Sequence, residues 1–97
     1  MTIPLRAPRA GSYELIGWFT TAQDYGRARL SLNGRTLSPI VEGYAPRVGT
    51  TGPISFGRVQ MRAGANELVV EIVGKDPRSK GYSDGYLVGI DGFELRR

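Results

Sequence analysis

The chain has 97 residues, with 13 lysines and arginines against 9 aspartates and glutamates, for a net charge of +4. It has neither cysteine nor histidine, which excludes disulfide staples, thiolate nucleophiles, sulfur-ligated zinc and histidine-based triads or proton shuttles. This length suits one domain, 1–97, with a modest core, and no apolar run approaches the ~20 residues of a membrane span, so no membrane partner is expected.

No stretch carries a 3.6-residue period, and 14 glycines and 6 prolines divide the chain into short segments, which predicts strands rather than helices. Residues 1–10 read as a lead-in or an edge strand, without the apolar stretch of a signal peptide. The first confident strand is 12–20, with Tyr13, Leu15, Gly17 and Phe19 on one face and Glu14, Ile16, Trp18 and Thr20 on the other. Trp18, the only tryptophan, is expected to pack under a loop or against a partner, because exposed large apolar groups usually mark contacts. Asp24-Tyr25-Gly26 reads as a tight corner. There Asp24 is expected to accept hydrogen bonds from turn amides and Gly26 to take a positive φ, with a calcium contact as the alternative.

The second strand, 27–32, alternates Ala28, Leu30 and Leu32 inward against Arg27, Arg29 and Ser31 outward. Asn33-Gly34 is a hairpin turn that needs positive φ at both positions. A third strand follows from 35 to about 40, then a loop over 41–53, a strand over 54–62, a turn at 63–66 and a strand over 67–73. A second long loop covers 74–85. The last strand, 86–95, changes phase at Asp91-Gly92, which a β-bulge explains. The predicted core is Leu30, Leu32, Leu68, Val70, Ile72, Val88, Ile90 and Phe93. The fold class is all-β, an antiparallel sandwich of six to eight short strands, with a small closed barrel as the structural alternative.

The succession Gly11-Ser12-Tyr13, Asp24-Tyr25-Gly26, Asn33-Gly34, Gly43-Tyr44-Ala45-Pro46, Gly52-Pro53 with Phe56-Gly57, Ala63-Gly64-Ala65-Asn66, Val73-Gly74-Lys75 with Ser79 and Gly81, and Gly89-Ile90-Asp91 resembles the jelly-roll modules of large carbohydrate-active enzymes. Such modules accompany glycosidases, and a related jelly roll builds the hydrolase family that contains difructose dianhydride synthase. The resemblance implies a jelly-roll-like sandwich that binds a glycan without catalysis. Those modules carry a further strand or two ahead of the segment at 12–20, where this chain has ten residues. A homo-oligomer in which another copy covers that edge is therefore expected as a companion property.

Sugar recognition needs an apolar face for C–H groups and polar side chains that match hydroxyls. The loops 41–53 and 74–86 hold both. The candidate ligand-binding residues are Tyr44, Arg47, Lys75, Asp76, Tyr82, Asp84 and Tyr86. The competing reading is that loop tyrosines cap the core with their hydroxyls left wet. Glu42 and Asp84 are the carboxylates that could pair for glycoside hydrolysis, but a chain this small has little wall to exclude water, so it is not expected to be an enzyme. No cofactor and no metal site are expected, and a calcium ion at Asp24 or Asp91 would be structural only. The arginines are scattered among glutamates rather than gathered into a stripe, so nucleic acid is not expected as a partner. The alternative function is a structural domain that mediates assembly.

Overall fold

A computed structural model describes residues 1–81 and 85–97. In chain order the strands are β1 (Thr2–Ala7), β2 (Gly11–Thr21), β3 (Arg27–Leu32), β4 (Arg35–Thr36), β5 (Val41–Glu42), β6 (Gly49–Met61), β7 (Gly64–Gly74) and β8 (Gly89–Arg96). They build two antiparallel sheets. One has five strands in the order β1-β7-β3-β4, with β5 also beside β3, and the other has three in the order β6-β2-β8. The protein is thus an all-β sandwich, and among the described residues there is no barrel closure.

The period-2 pattern decides which face each sheet buries. Ala28, Leu30 and Leu32 of β3 and Leu68 and Val70 of β7 face Tyr13, Leu15 and Phe19 of β2 and Phe56, Val59 and Met61 of β6 across the interior. Phe19 sits at its centre, with the rings of Phe56 and Phe93 edge-on to it at 6.2 and 5.9 Å, the arrangement aromatic quadrupoles favour. Gly17 makes room for this trio. A Cβ there would lie 2.9 Å from Phe19, 3.0 Å from Phe93 and 3.2 Å from Phe56. Of the predicted core, Leu30, Leu32, Leu68 and Val70 are buried, whereas Ile72, Val88, Ile90 and Phe93 pack against the core partly buried. The difference is positional: Ile72 and Val88 lie where the strands leave the sandwich, and β8 is an edge with one neighbour.

Asn33-Gly34 turns as the sequence demands, with φ of 49° and 85°. The bulge also falls where the phase change put it. Trp18 pairs with Gly92 and Phe19 with Ile90, which leaves Asp91 as the extra residue, and its Oδ1 accepts a hydrogen bond from the Thr20 hydroxyl at 2.6 Å. Residues 2–7 form the edge strand, with Leu5 opposite Asn66 in β7.

Other boundaries move. The strand expected over 35–40 stops at Thr36, although the Leu37 amide still donates to the Leu30 carbonyl. After a turn at 38–40 the chain rejoins β3 as β5, with Val41 opposite Ala28. The loop expected over 41–53 shrinks to 43–48 because β6 begins at Gly49 and pairs with β2 through Pro53, opposite Trp18. Proline is tolerated there because β6 is an edge strand, so one side of its backbone has no ladder to serve. Register shifts beside Gly52 and Gly57, both at positive φ, keep Ile54 and Phe56 facing inward. The last strand starts at Gly89 rather than at 86.

Asn66 is 2% exposed and ties three segments together. Its amide nitrogen donates to the carbonyls of Arg62 at 2.9 Å and Gly64 at 3.2 Å, and its oxygen accepts from the Arg62 amide and from the Asn33 side chain. Asn33 in turn accepts from the Glu67 amide.

Leu30→Ala should lower stability by about 2–5 kcal/mol, the range for a cavity at a fully buried leucine. Gly17→Ala should cost about 1–3 kcal/mol by overpacking the rings. Urea melts check both, and an unchanged midpoint for Gly17→Ala would show that the phenylalanines are not held as described.

Candidate functional site

Three segments close the end of the sandwich opposite the Asn33-Gly34 turn: 22–26, 43–45 and, after β7, the described residues 75–81 and 85–87. They approach closely enough for backbone to touch backbone. A Cβ on Gly43 would lie 2.6 Å from the Gly26 carbonyl oxygen, and one on Gly85 2.7 Å from that of Ser79. Hydrogen bonds lace them, from Ala22 N to Gly43 O, Gly26 N to Leu87 O and Lys80 N to Gln23 O. Ser79, 1% exposed, pins the group by donating its hydroxyl to the Tyr25 carbonyl at 2.7 Å, with the Gly85 carbonyl at 3.2 Å. Gly26 is therefore required for space, since a Cβ would meet the Gly74 oxygen at 2.9 Å. Its φ is not positive, contrary to the sequence expectation. The Asp24 carboxylate likewise accepts no turn amide among the described residues; it is the Asp24 carbonyl that pairs, with the Leu87 amide.

Asp76-Pro77-Arg78 forms a side-chain-closed turn. The Arg78 amide donates to Asp76 Oδ1 at 2.9 Å, and the Arg78 guanidinium grips both carboxylate oxygens at 3.0 Å. That grip, followed by the amide bond and more weakly by the charge of Arg27, pulls the Asp76 pKa from 3.8 down to about 2. The same guanidinium lies 4.8 Å from the centre of the Tyr44 ring, and the Tyr44 amide donates to Glu42, which also accepts from Arg27 at 2.7 Å. Lys75 donates to the Ser79 carbonyl and stands 5.1 Å from the centre of the Tyr86 ring.

Of the candidate residues, the fold thus joins Tyr44 to Asp76 through Arg78 and joins Lys75 to Tyr86. Arg47 is exposed and makes no contact with the others among the described residues. Tyr82 and Asp84 lie outside the described residues. Arg78 and Ser79 were not foreseen. The signal for Arg78 was the Asp-Pro turn, which brings the following arginine back onto the aspartate. Ser79 stands in the sequence only as a member of the motif succession after Val73-Gly74-Lys75, and its role is set by its partners in the fold, the backbone carbonyls of Tyr25 and Gly85. Each tyrosine has a cation against one face, an attraction of roughly 0.5–1 kcal/mol at exposed sites, so at most one face of each ring is left for a sugar. Among the described residues no three acidic groups converge as metal ligands.

Trp18 is half-buried on the outer face of the three-stranded sheet, between Pro53 of β6 and Gly92 of β8. A Cβ on Gly92 would meet nothing within 4 Å, so the tryptophan borders an open notch.

No protein-family model matches the chain and no curated protein matches it. Solved structures do match. A xanthan lyase of Paenibacillus superposes with a TM-score of 0.81 at 19% identity over 98% of this chain. The GH26-CBM35 β-(1,4)-mannanase of Podospora anserina gives a TM-score of 0.57 at 16% identity, also over 98%. The chain spans 9% and 18% of the length of these two carbohydrate-active enzymes. At such identity the likeness is one of fold.

The Asp76–Arg78 contact should persist as the pH falls through the ordinary aspartate range. The native carboxylate keeps its charge until the pH reaches the folded value, here about 2, while its contribution to stability, full above the unfolded value of 3.8, declines across the window between the two. A carboxyl-carbon NMR titration should place the Asp76 midpoint there, and Arg78→Ala should return it toward 3.8.

Proposed function

We propose that this protein is a noncatalytic carbohydrate-binding module that recognises a glycan through the loops 41–53 and 74–86. The observation that carries the reading is the likeness, over 98% of the chain, to small portions of two much larger carbohydrate-active enzymes. The chemistry of the loop end supports it. Tyr44 and Tyr86 supply apolar rings, Asp76 and Arg78 a fixed pair of acceptor and donor, and Lys75 and Arg47 further donors. The close-packed glycines and the hydrogen bonds between segments fix the backbone beside Tyr44 and Tyr86, and a preformed backbone lowers the ordering cost of binding.

Affinity for one sugar unit should be low. A hexose has about 12 heavy atoms, and at about 0.3 kcal/mol per atom it gains roughly 4 kcal/mol, near millimolar. The test is a glycan array followed by NMR titration of the best oligosaccharide. Tyr44→Ala and Tyr86→Ala should each weaken binding at least tenfold while leaving the melting temperature of the fold unchanged. Unaltered binding by both variants would remove the loops from the site.

A second reading, assembly with another copy, is favoured by Trp18, a large aromatic on an outer sheet face beside an open notch. Sedimentation equilibrium should then give a mass above the monomer that falls for Trp18→Ser. A monomer at all concentrations would end that reading.

A further inference from the structure

At the end of β3 opposite the loops, the sandwich has an open side. Leu32 and Arg35 are direct partners across the Asn33-Gly34 turn, so they leave the backbone on the same face, and Leu32 faces the core. Arg35 therefore leaves β4 on the inner face, at the edge of its sheet. Across from it runs β6, the edge of the other sheet. Between the two edges lies a crevice of about 210 Å³, with Leu32, Leu37 and Val59 as its apolar part and Arg35, Arg58 and Gln60 as its polar part.

The charge of this crevice is one-sided. Its remaining lining residue is Asn33, so no carboxylate lines it. Arg35 has no ion pair or hydrogen bond among the described residues. Arg58 borders the crevice, but its guanidinium is drawn to the hydroxyl and carbonyl of Ser12, both at 2.9 Å, on the side of its cross-strand partner Glu14, so Arg35 carries the positive charge of the crevice. Glu14, opposite Arg58 in β2, is instead held by the Ser55 hydroxyl at 2.7 Å. In the middle of the five-stranded sheet, Arg27 is paired with Glu42 and Arg29 with Glu71. The free backbone edge of β6 adds amide and carbonyl groups suited to hydroxyls.

We propose that this crevice binds a uronic-acid unit of an acidic polysaccharide, its carboxylate paired with Arg35 and its C–H face on Leu37 and Val59. The inference rests on the reading of the domain as a glycan binder but uses a different surface. A planar guanidinium is the side chain best matched to a carboxylate, through paired hydrogen bonds. An inward edge charge also discourages sheet-to-sheet pairing. Arg35→Glu would preserve that effect and would abolish carboxylate binding.

The experiment is a ¹H–¹⁵N NMR titration of the whole protein with trigalacturonate and with its fully methyl-esterified form. The acid should shift Leu37, Val59 and Gln60 saturably, and the ester should bind roughly tenfold or more weakly, the scale of one charge-assisted pair. Arg35→Gln should lose affinity for the acid by a similar factor and Arg35→Glu should lose it altogether. Arg9→Gln, with the same change in net charge as Arg35→Gln, should leave it intact. Equal binding of acid and ester, equal loss in Arg9→Gln and Arg35→Gln, or no shift at all would overturn the proposal. Shifts confined to 43–48 and 75–81 for both ligands would also overturn it while leaving the loop site standing. Crevice shifts with the acid, and loops silent to every neutral oligosaccharide, would do the reverse.

Discussion

Two sheets can close on each other only if the backbone groups at their ends find partners, since an unpaired buried amide or carbonyl costs as much as a lost hydrogen bond. In this protein the requirement is met at each end by a buried polar side chain. Asn66 satisfies the carbonyls of Arg62 and Gly64 and the amide of Arg62 at the hairpin end. Ser79 satisfies the carbonyl of Tyr25 at the loop end. Among the described residues these are the buried polar side chains. The core between them is apolar and packs by shape, with the phenylalanine rings seated over Gly17 where a Cβ would collide with them. The site and the crevice both depend on these two fastenings. Asn33, which bonds to Asn66, positions the turn that carries Arg35, and Ser79 follows directly on the arginine that covers Tyr44.

Features that rest on one or two neighbouring residues were legible in the sequence. Asn33-Gly34 fixes a turn by its own φ values, the alternation in 27–32 and 67–73 fixes which face is inward, and the phase slip at Asp91 announces a bulge. Features that depend on the neighbour across the sheet were not. Pro53 reads as a breaker until β6 is known to be an edge, and Ile72 reads as core until the end of the sandwich is located. The same division runs through the site. Tyr44, Lys75, Asp76 and Tyr86 are recognisable as loop aromatics and polar groups. Their grouping into two ring–cation pairs depends on the Asp76-Pro77-Arg78 turn and on Ser79, whose partners lie 54 and 6 residues away. The crevice was invisible because it belongs to the gap between two edges rather than to any segment.

Charge is distributed in a way the net value conceals. The outer face of the five-stranded sheet carries matched pairs, Arg27–Glu42 and Arg29–Glu71, with side chains 43–59% exposed. Such pairs are worth at most about 1 kcal/mol, so they shape the field more than the stability. Pairing there removes positive charge from the middle of the sheet, and the Arg35 side of the sandwich is left with a cation that no carboxylate answers. The middle of the five-stranded sheet is thus balanced, whereas Arg35 at its edge is not.

The weakness expected of any single sugar contact gives this asymmetry a use. On the proposed readings, the loop site and the crevice lie near opposite ends of β3, and the five residue steps from Arg27 to Leu32 span roughly 17 Å. A glycan long enough to reach both would bind its second contact intramolecularly, and linked contacts raise affinity without new interactions only where the ligand can span them. A neutral polymer would gain little at the crevice, and an isolated uronic acid could not reach the loops from there. Preference would then arise from the combination of ring-stacked sugar and carboxylate along one chain, a form of selectivity open to a domain too small to enclose its ligand.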